Sequence, residues 1–145
     1  MNLVVSWLRL FVGNLERLSK ISVNKNNALN LVTRLLKLYK GDYLPDEDNL
    51  EVVSRREHYR NLFLSTFLNY TEYLKESPEI VEGFCQDALR VEPLSEPIFR
   101  RLIAAYMSQG NRDMAEITLD RCRTLINRYY DSEVSSTTTA LLENN

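Results

Sequence analysis

The chain has 145 residues, 44% of them hydrophobic and 26% charged, with a formal net charge of −2. It is long enough for a real core and has the make-up of a soluble globular protein, and its slightly acidic balance argues against nucleic acid as a direct partner. Four Gly and four Pro are too few for a turn-rich all-β protein, and strand-like alternation is absent, so an all-α fold is expected. The charge is unevenly spread: residues 1–45 carry seven Lys/Arg and two Asp/Glu, residues 46–96 five and twelve, and residues 97–145 six of each. Solvated helix faces account for this pattern; the alternative is that opposite ends of the domain meet different partners.

In chain order, residues 3–20 predict an apolar helix with Trp7, Leu8, Phe11, Leu15 and Leu18 on one broad face, weakened by Gly13. This stretch is not expected to be a secretory signal, because Arg9 interrupts it, no basic region precedes it and no small-x-small cleavage site follows. After a polar connection, Ala28 to Tyr39 predicts a second helix that carries Leu31, Val32, Leu35, Leu36 and Leu38 and stops at Gly41. The loop Asp42 to Asn49 ends in acidic residues. Leu50 to Lys75 is the longest helical pattern, with Val53, Tyr59, Leu62, Phe63, Thr66, Phe67, Tyr70 and Leu74 on its buried side. Ser77-Pro78 restarts the chain as cap and first turn of a helix running to Val91.

Ser95 to Tyr129 is the best-defined stretch. Ser95 is a good N-cap with Glu96 and Pro97 behind it, and Ile98, Phe99, Leu102, Ile103 and Tyr106 recur at helical spacing. Gly110 suits the left-handed residue that ends a helix, and Asn111 can cap the next one, whose apolar stripe is Ala115, Leu119, Cys122 and Ile126. Aromatic-x-x-Leu-x-x-x-Tyr-x-x-x-Gly followed by small Ala115 and Cys122 resembles a tetratricopeptide (TPR) hairpin, whose repeat is about 34 residues. Moving back by that repeat from Met114, Ala115, Leu119 and Cys122 reaches Ile80, Val81, Cys85 and Ala88, all small or apolar. The expected fold is a TPR-like right-handed stack of three hairpins, about 2–40, 48–92 and 95–129. Ser135 then caps a closing helix, about 136–144, whose Leu141 and Leu142 cover the open end of the stack.

Leu38-Tyr39-Lys40-Gly41-Asp42-Tyr43-Leu44-Pro45 is more specific than any periodicity. A helix ending in Leu-Tyr-x-Gly-x-aromatic-Leu-Pro resembles the bacterial transcriptional activation domain found in SARP antibiotic regulators and related winged-helix regulators. Val5 to Leu15, Arg55 to Leu64, Asp87 to Leu94 and Asp131 to Glu143 resemble further segments of that domain, in order. There are departures: no Trp stands near Glu51, leaving Leu50 or Val52 to fill its space, and Ser136 replaces a helix-starting Pro. The resemblance implies a regulatory module working through dimerisation, signal reception or contact with the transcription machinery. Its partners would be proteins, a second copy or RNA polymerase among them. The winged helix that normally precedes the module is not encoded here, so the chain is expected to be one module of a longer regulator or a fragment of it. The rival expectation is a generic TPR scaffold or adaptor outside transcription.

No phosphate loop, HExxH, CxxC or nucleophile elbow is present, so no catalytic role, cofactor or metal is expected. His58 sits on a charged helix and reads as a solvated side chain. Asp46-Glu47-Asp48 lacks the ligand spacing of a calcium loop. Arg55, Arg56 and Arg60 interleave with Glu51 and Glu57, which suggests intrahelical pairs such as Glu51–Arg55. Cys85 and Cys122 read as small buried hydrophobes, and reduced thiols fit a cytoplasmic protein; no run reaches transmembrane length. By the resemblance, the first helix of each hairpin lines a concave groove. Arg100, Ala104, Met107 and Ser108 would supply it from one hairpin, and Tyr70, Tyr73 and Leu74 from the one before. Met, Tyr and Arg suit recognition of a peptide or helix.

Overall fold

A computed structural model of the chain describes residues 3–40 and 50–143, with side chains from 11 to 40 and from 53 to 143. The turn Gly41–Pro45, the acidic run Asp46–Asp48 and the side chains of Trp7, Leu8, Leu50, Glu51 and Val52 lie outside the described residues. Among the described residues there is no strand. The fold is all-α and TPR-like: α1 Leu3–Ser19, α2 Ala28–Leu38, α3 Leu50–Glu72, α4 Pro78–Val91, α5 Glu96–Ser108, α6 Arg112–Tyr130 and the short α7 Ser136–Thr139, followed by a 3-10 turn Ala140–Leu142. The chain forms two compact units, Met1–Tyr73 and Leu74–Asn145.

In the first unit α1, α2 and α3 pack pairwise on one another. The connection between α1 and α2 is held by asparagine side chains acting on the backbone: Asn24 Oδ1 accepts from the N–H of Asn26 at 2.8 Å and of Asn27 at 3.0 Å, and Asn27 Oδ1 accepts from Asn24 N–H at 2.7 Å. Such local bonds favour turns over helix continuation. The core is aromatic. Tyr39 stacks on Phe63 with ring centroids 4.0 Å apart and planes 9° from parallel, while Phe11 meets Tyr59 edge-on at 6.1 Å. Phe63, Phe67 and Tyr70 are fully buried, and the Tyr70 hydroxyl donates to the Leu18 carbonyl, satisfying a polar group that would otherwise be stranded in the core. Val53, expected on the buried side of α3, is exposed, and so is His58.

In the second unit α5 packs between α4 and α6. Capping follows the sequence closely here. Ser95 Oγ accepts from Ile98 N–H at 3.4 Å, and Asn111 Oδ1 accepts from Met114 N–H at 3.2 Å. Gly110 has φ +72, a conformation in which a side chain would be strained. Ser77 flanks α4 but accepts no side-chain capping bond; Pro78 in the first turn, which has no N–H to satisfy, starts that helix. Val81, Cys85 and Ala88 on α4, and Ala115, Leu119 and Cys122 on α6, are all buried, so three of the four pairs spaced by 34 residues occupy matching buried positions. The fourth pair differs: Ile80 is exposed, and Met114 is half-buried. Four of the six buried residues, Cys85, Ala88, Ala115 and Cys122, are small. The 3-10 turn packs on α5 and α6 with Leu141 and Leu142 half-buried, a partial cover for that end of the unit.

Candidate functional site

α5 is the element that positions the candidate surface. Its buried residues, Ile98, Phe99, Leu102, Ile103, Ala105 and Tyr106, take up most of its circumference because both α4 and α6 press against it. Arg100, Ala104, Met107 and Ser108, spaced by four, three and one residues, lie on the remaining face together with half-buried Arg101. Arg100, Ala104 and Met107 are half-buried, and Ser108 is exposed. One edge of α5 is tied to α4 by Gln86 Nε2, which donates to the Tyr106 hydroxyl at 3.1 Å, and by Gln109 Nε2, which donates to Glu82 Oε1 at 3.0 Å. These bonds fix the helix's rotation, and with it the direction in which the stripe faces.

At its N-terminal end the stripe meets the closing segment. Glu96 Oε1 accepts from Ser135 N–H at 2.7 Å and from the Thr138 hydroxyl at 2.7 Å. Arg100 Nη1 donates to Thr138 Oγ1 at 3.3 Å and stands 3.8 Å from Glu96 Oε1. Burial of the Glu96 carboxyl pushes its pKa up, but the bonds from Thr138 and Ser135, together with Arg100, outweigh burial and hold it below the ordinary value. Arg100, expected in a binding groove, is thus also engaged within the chain.

Two open grooves lie between α6 and the closing segment. One, of about 640 Å³, runs along Arg123, Thr124, Asn127 and Arg128 opposite Ser132–Val134. The other, of about 560 Å³, runs along Arg112, Glu116 and Asp120 opposite Leu142 and Glu143. Their charges are largely paired: Arg112 Nε lies 3.2 Å from Glu116 Oε1, and Arg123 Nη1 lies 3.3 Å from Asp120 Oδ1. Such a surface can hold a polar chain but activates no nucleophile. Neither groove is lined by any of the seven residues singled out in the sequence.

Those seven fall in different environments. Tyr73 is exposed, whereas Tyr70 is fully buried with its hydroxyl engaged, and Leu74 is buried too. Tyr70 and Leu74 therefore offer little surface to a partner, a correction to the expected groove. For Tyr70 the cause is α3's rotation, since Phe63, Phe67 and Tyr70 lie at spacings of four and three and share the core-facing stripe, while Leu74 is buried in the turn after α3. The α6 grooves and the Glu96 cluster were not anticipated. The run Ser135–Thr139 was the available signal, since five consecutive hydroxyl residues supply bonding partners for a carboxylate.

Cys85 and Cys122 are buried free thiols, and burial pushes their pKa values up to about 12 and about 11. Thiols so shifted are protonated at neutral pH and unreactive while covered. Among the described residues no group of three or more His, Cys, Asp or Glu is placed to hold a metal ion, and no helix is long and apolar enough to cross a membrane.

Residues 16–144 match the sequence profile of one protein family, described as the bacterial transcriptional activator domain. No curated protein and no solved structure matches the chain.

Proposed function

The chain belongs to the bacterial transcriptional activator domain family, and from that premise we propose that it is the protein-interaction module of a transcriptional regulator, acting by binding rather than catalysis. The half-open stripe of α5 carries this reading: Ala104 and Met107 are half-buried and Ser108 is exposed on a helix whose other positions are largely buried. A flexible Met beside small residues suits the docking of another helix or peptide. A second copy of the chain and RNA polymerase are the partners the reading favours. The Leu38–Pro45 motif supports a place among SARP-type regulators.

DNA contact belongs, on this reading, to a winged helix elsewhere in the regulator, and the cytoplasm is where such a regulator works. The isolated chain should leave duplex DNA unbound at physiological salt, because its basic N-terminal third offers no groove-reading helix and is followed by a strongly acidic middle. Saturable, salt-sensitive binding at micromolar concentration contradicts that expectation. The direct test is a reporter assay with the full regulator carrying Met107→Glu. Transcription should fall, while promoter binding and the melting temperature hold. Unchanged transcription removes the α5 stripe from the function.

A further inference from the structure

We propose that the closing segment, Ser135 to Glu143, is a strap that opens on its own while α4, α5 and α6 stay folded, with Glu96 as its catch. Opening of the strap does not depend on the identity of any partner.

The strap is held by a few polar bonds. Glu96 Oε1 takes both the Ser135 N–H and the Thr138 hydroxyl, Arg100 donates to Thr138, and Arg112 Nη2 donates to the Leu142 carbonyl at 2.8 Å. Apolar anchoring is thin. Thr138 is fully buried, but Ala140, Leu141 and Leu142 are half-buried, and Ser135, Ser136 and Thr137 are exposed. The helices beneath are held differently, by fully buried Ile98, Phe99, Ile103 and Ala115. Segments with few buried apolar contacts and exposed hydrogen bonds open at lower free energy than the core they cover.

The connection suits a pivot. Asp131 ends α6 in the left-handed region at φ 48, ψ 44, and Asp131, Ser132 and Glu133 are exposed. Asp is one of the few residues besides glycine that takes this left-handed conformation readily, so the chain turns away from α6 at this point.

Opening uncovers the seam between α5 and α6 beside the catch. Arg100 on α5 is the charged neighbour of Glu96, and the Cys122 thiol on α6 lies near both, with Arg123 beside it; the strap contributes hydroxyls and an N–H. Burial raises the Cys122 thiol, and the nearby Glu96 carboxylate raises it further. Cys85, on α4 beside Arg101, lies in the other seam of α5, away from the catch. The two buried thiols therefore report separately on strap opening and on global unfolding.

The test is maleimide labelling of the full chain in native buffer, with each thiol followed by peptide mass spectrometry. Cys122 should react faster than Cys85. Glu96→Gln and Thr138→Val should each raise the Cys122 rate roughly tenfold, the effect of removing a hydrogen bond at the catch, and leave the Cys85 rate unchanged. Thr138→Val keeps the shape of the buried side chain and carries the test if Glu96→Gln fails to fold. Equal rates at the two cysteines in the parent, or rates that rise together in Thr138→Val, would show that the strap leaves only with the whole fold and overturn the proposal.

Discussion

The two units solve the same packing problem with different side chains. Around Phe63 the space between α1, α2 and α3 is filled by rings, with Phe11, Tyr39, Tyr59 and Phe67 near it or one another. Between α4, α5 and α6 the buried positions include Cys85, Ala88, Ala105, Ala115 and Cys122, all small. Large rings tolerate a wide, irregular gap, whereas small residues specify a near approach of helices and so recur at a fixed period. A repeat can be read only where such period-locked residues exist. This is why the 34-residue pattern shows up in α4 and α6 and not in α1 and α2.

The contrast can be broken from either side. Phe63→Ala should cost about 3–5 kcal/mol, because it empties the centre of an aromatic cluster that has little means of collapsing; chemical denaturation measures it, and a loss below about 1 kcal/mol would show that the rings pack loosely. Ala88→Phe and Cys122→Phe should each cost about 1–3 kcal/mol by overpacking. Values within about 0.5 kcal/mol of the parent, the scatter of ordinary surface changes, would mean that the small residues do not set the helix spacing.

A smaller effect concerns pH. The folded Glu96 carboxyl gives up its proton more readily than the unfolded one. Its contribution is therefore complete above the unfolded value of 4.5 and lost as the pH falls through the lower folded value. Melting temperatures should drop on acidification through that window, and Glu96→Gln should shallow the drop. An identical acid limb in the variant would show that the cluster adds nothing to stability.

The smallest expected effects are gains, one in each unit. Gly13 in α1 and Gly83 in α4 lie within helices; a Cβ on Gly13 would meet Arg17 Nη2 at 3.5 Å, an ordinary contact, and one on Gly83 nothing within 4 Å. Gly13→Ala and Gly83→Ala should each stabilise by about 0.5–1 kcal/mol. A fall in melting temperature for either would mean that its helix is not packed as described.

Much of the fold was legible because helix ends carry local chemistry: Ser95, Gly110 and Asn111 act as their residue types suggest. The side chains of α3 were harder. Thr66, Phe67, Tyr70, Thr71 and Leu74 are buried in register with Ile98, Phe99, Leu102, Ile103 and Tyr106, an offset of 32 residues rather than 34. Seven positions lead from buried Leu74 to buried Val81, against nine from Tyr106 to Ala115, so the first of these two hairpins is two residues shorter between its matching buried points. A single fixed period therefore misplaces α3 and sets Tyr70 on a surface, while it sits in the core. The Glu96 cluster was illegible for another reason. Its partners lie about forty positions apart in sequence, and only the folded chain brings a first-turn carboxylate against a run of hydroxyls.

The surface assigned to α5 is most directly tested by photocrosslinking in cells that carry the full regulator, with a benzophenone amino acid placed at Met107 and, as control, at the exposed Ile117 of α6. A discrete product is expected from position 107, matching in mass a second copy of the regulator or an RNA polymerase subunit, and none from position 117. No product from position 107, or the same product from both positions, would contradict it.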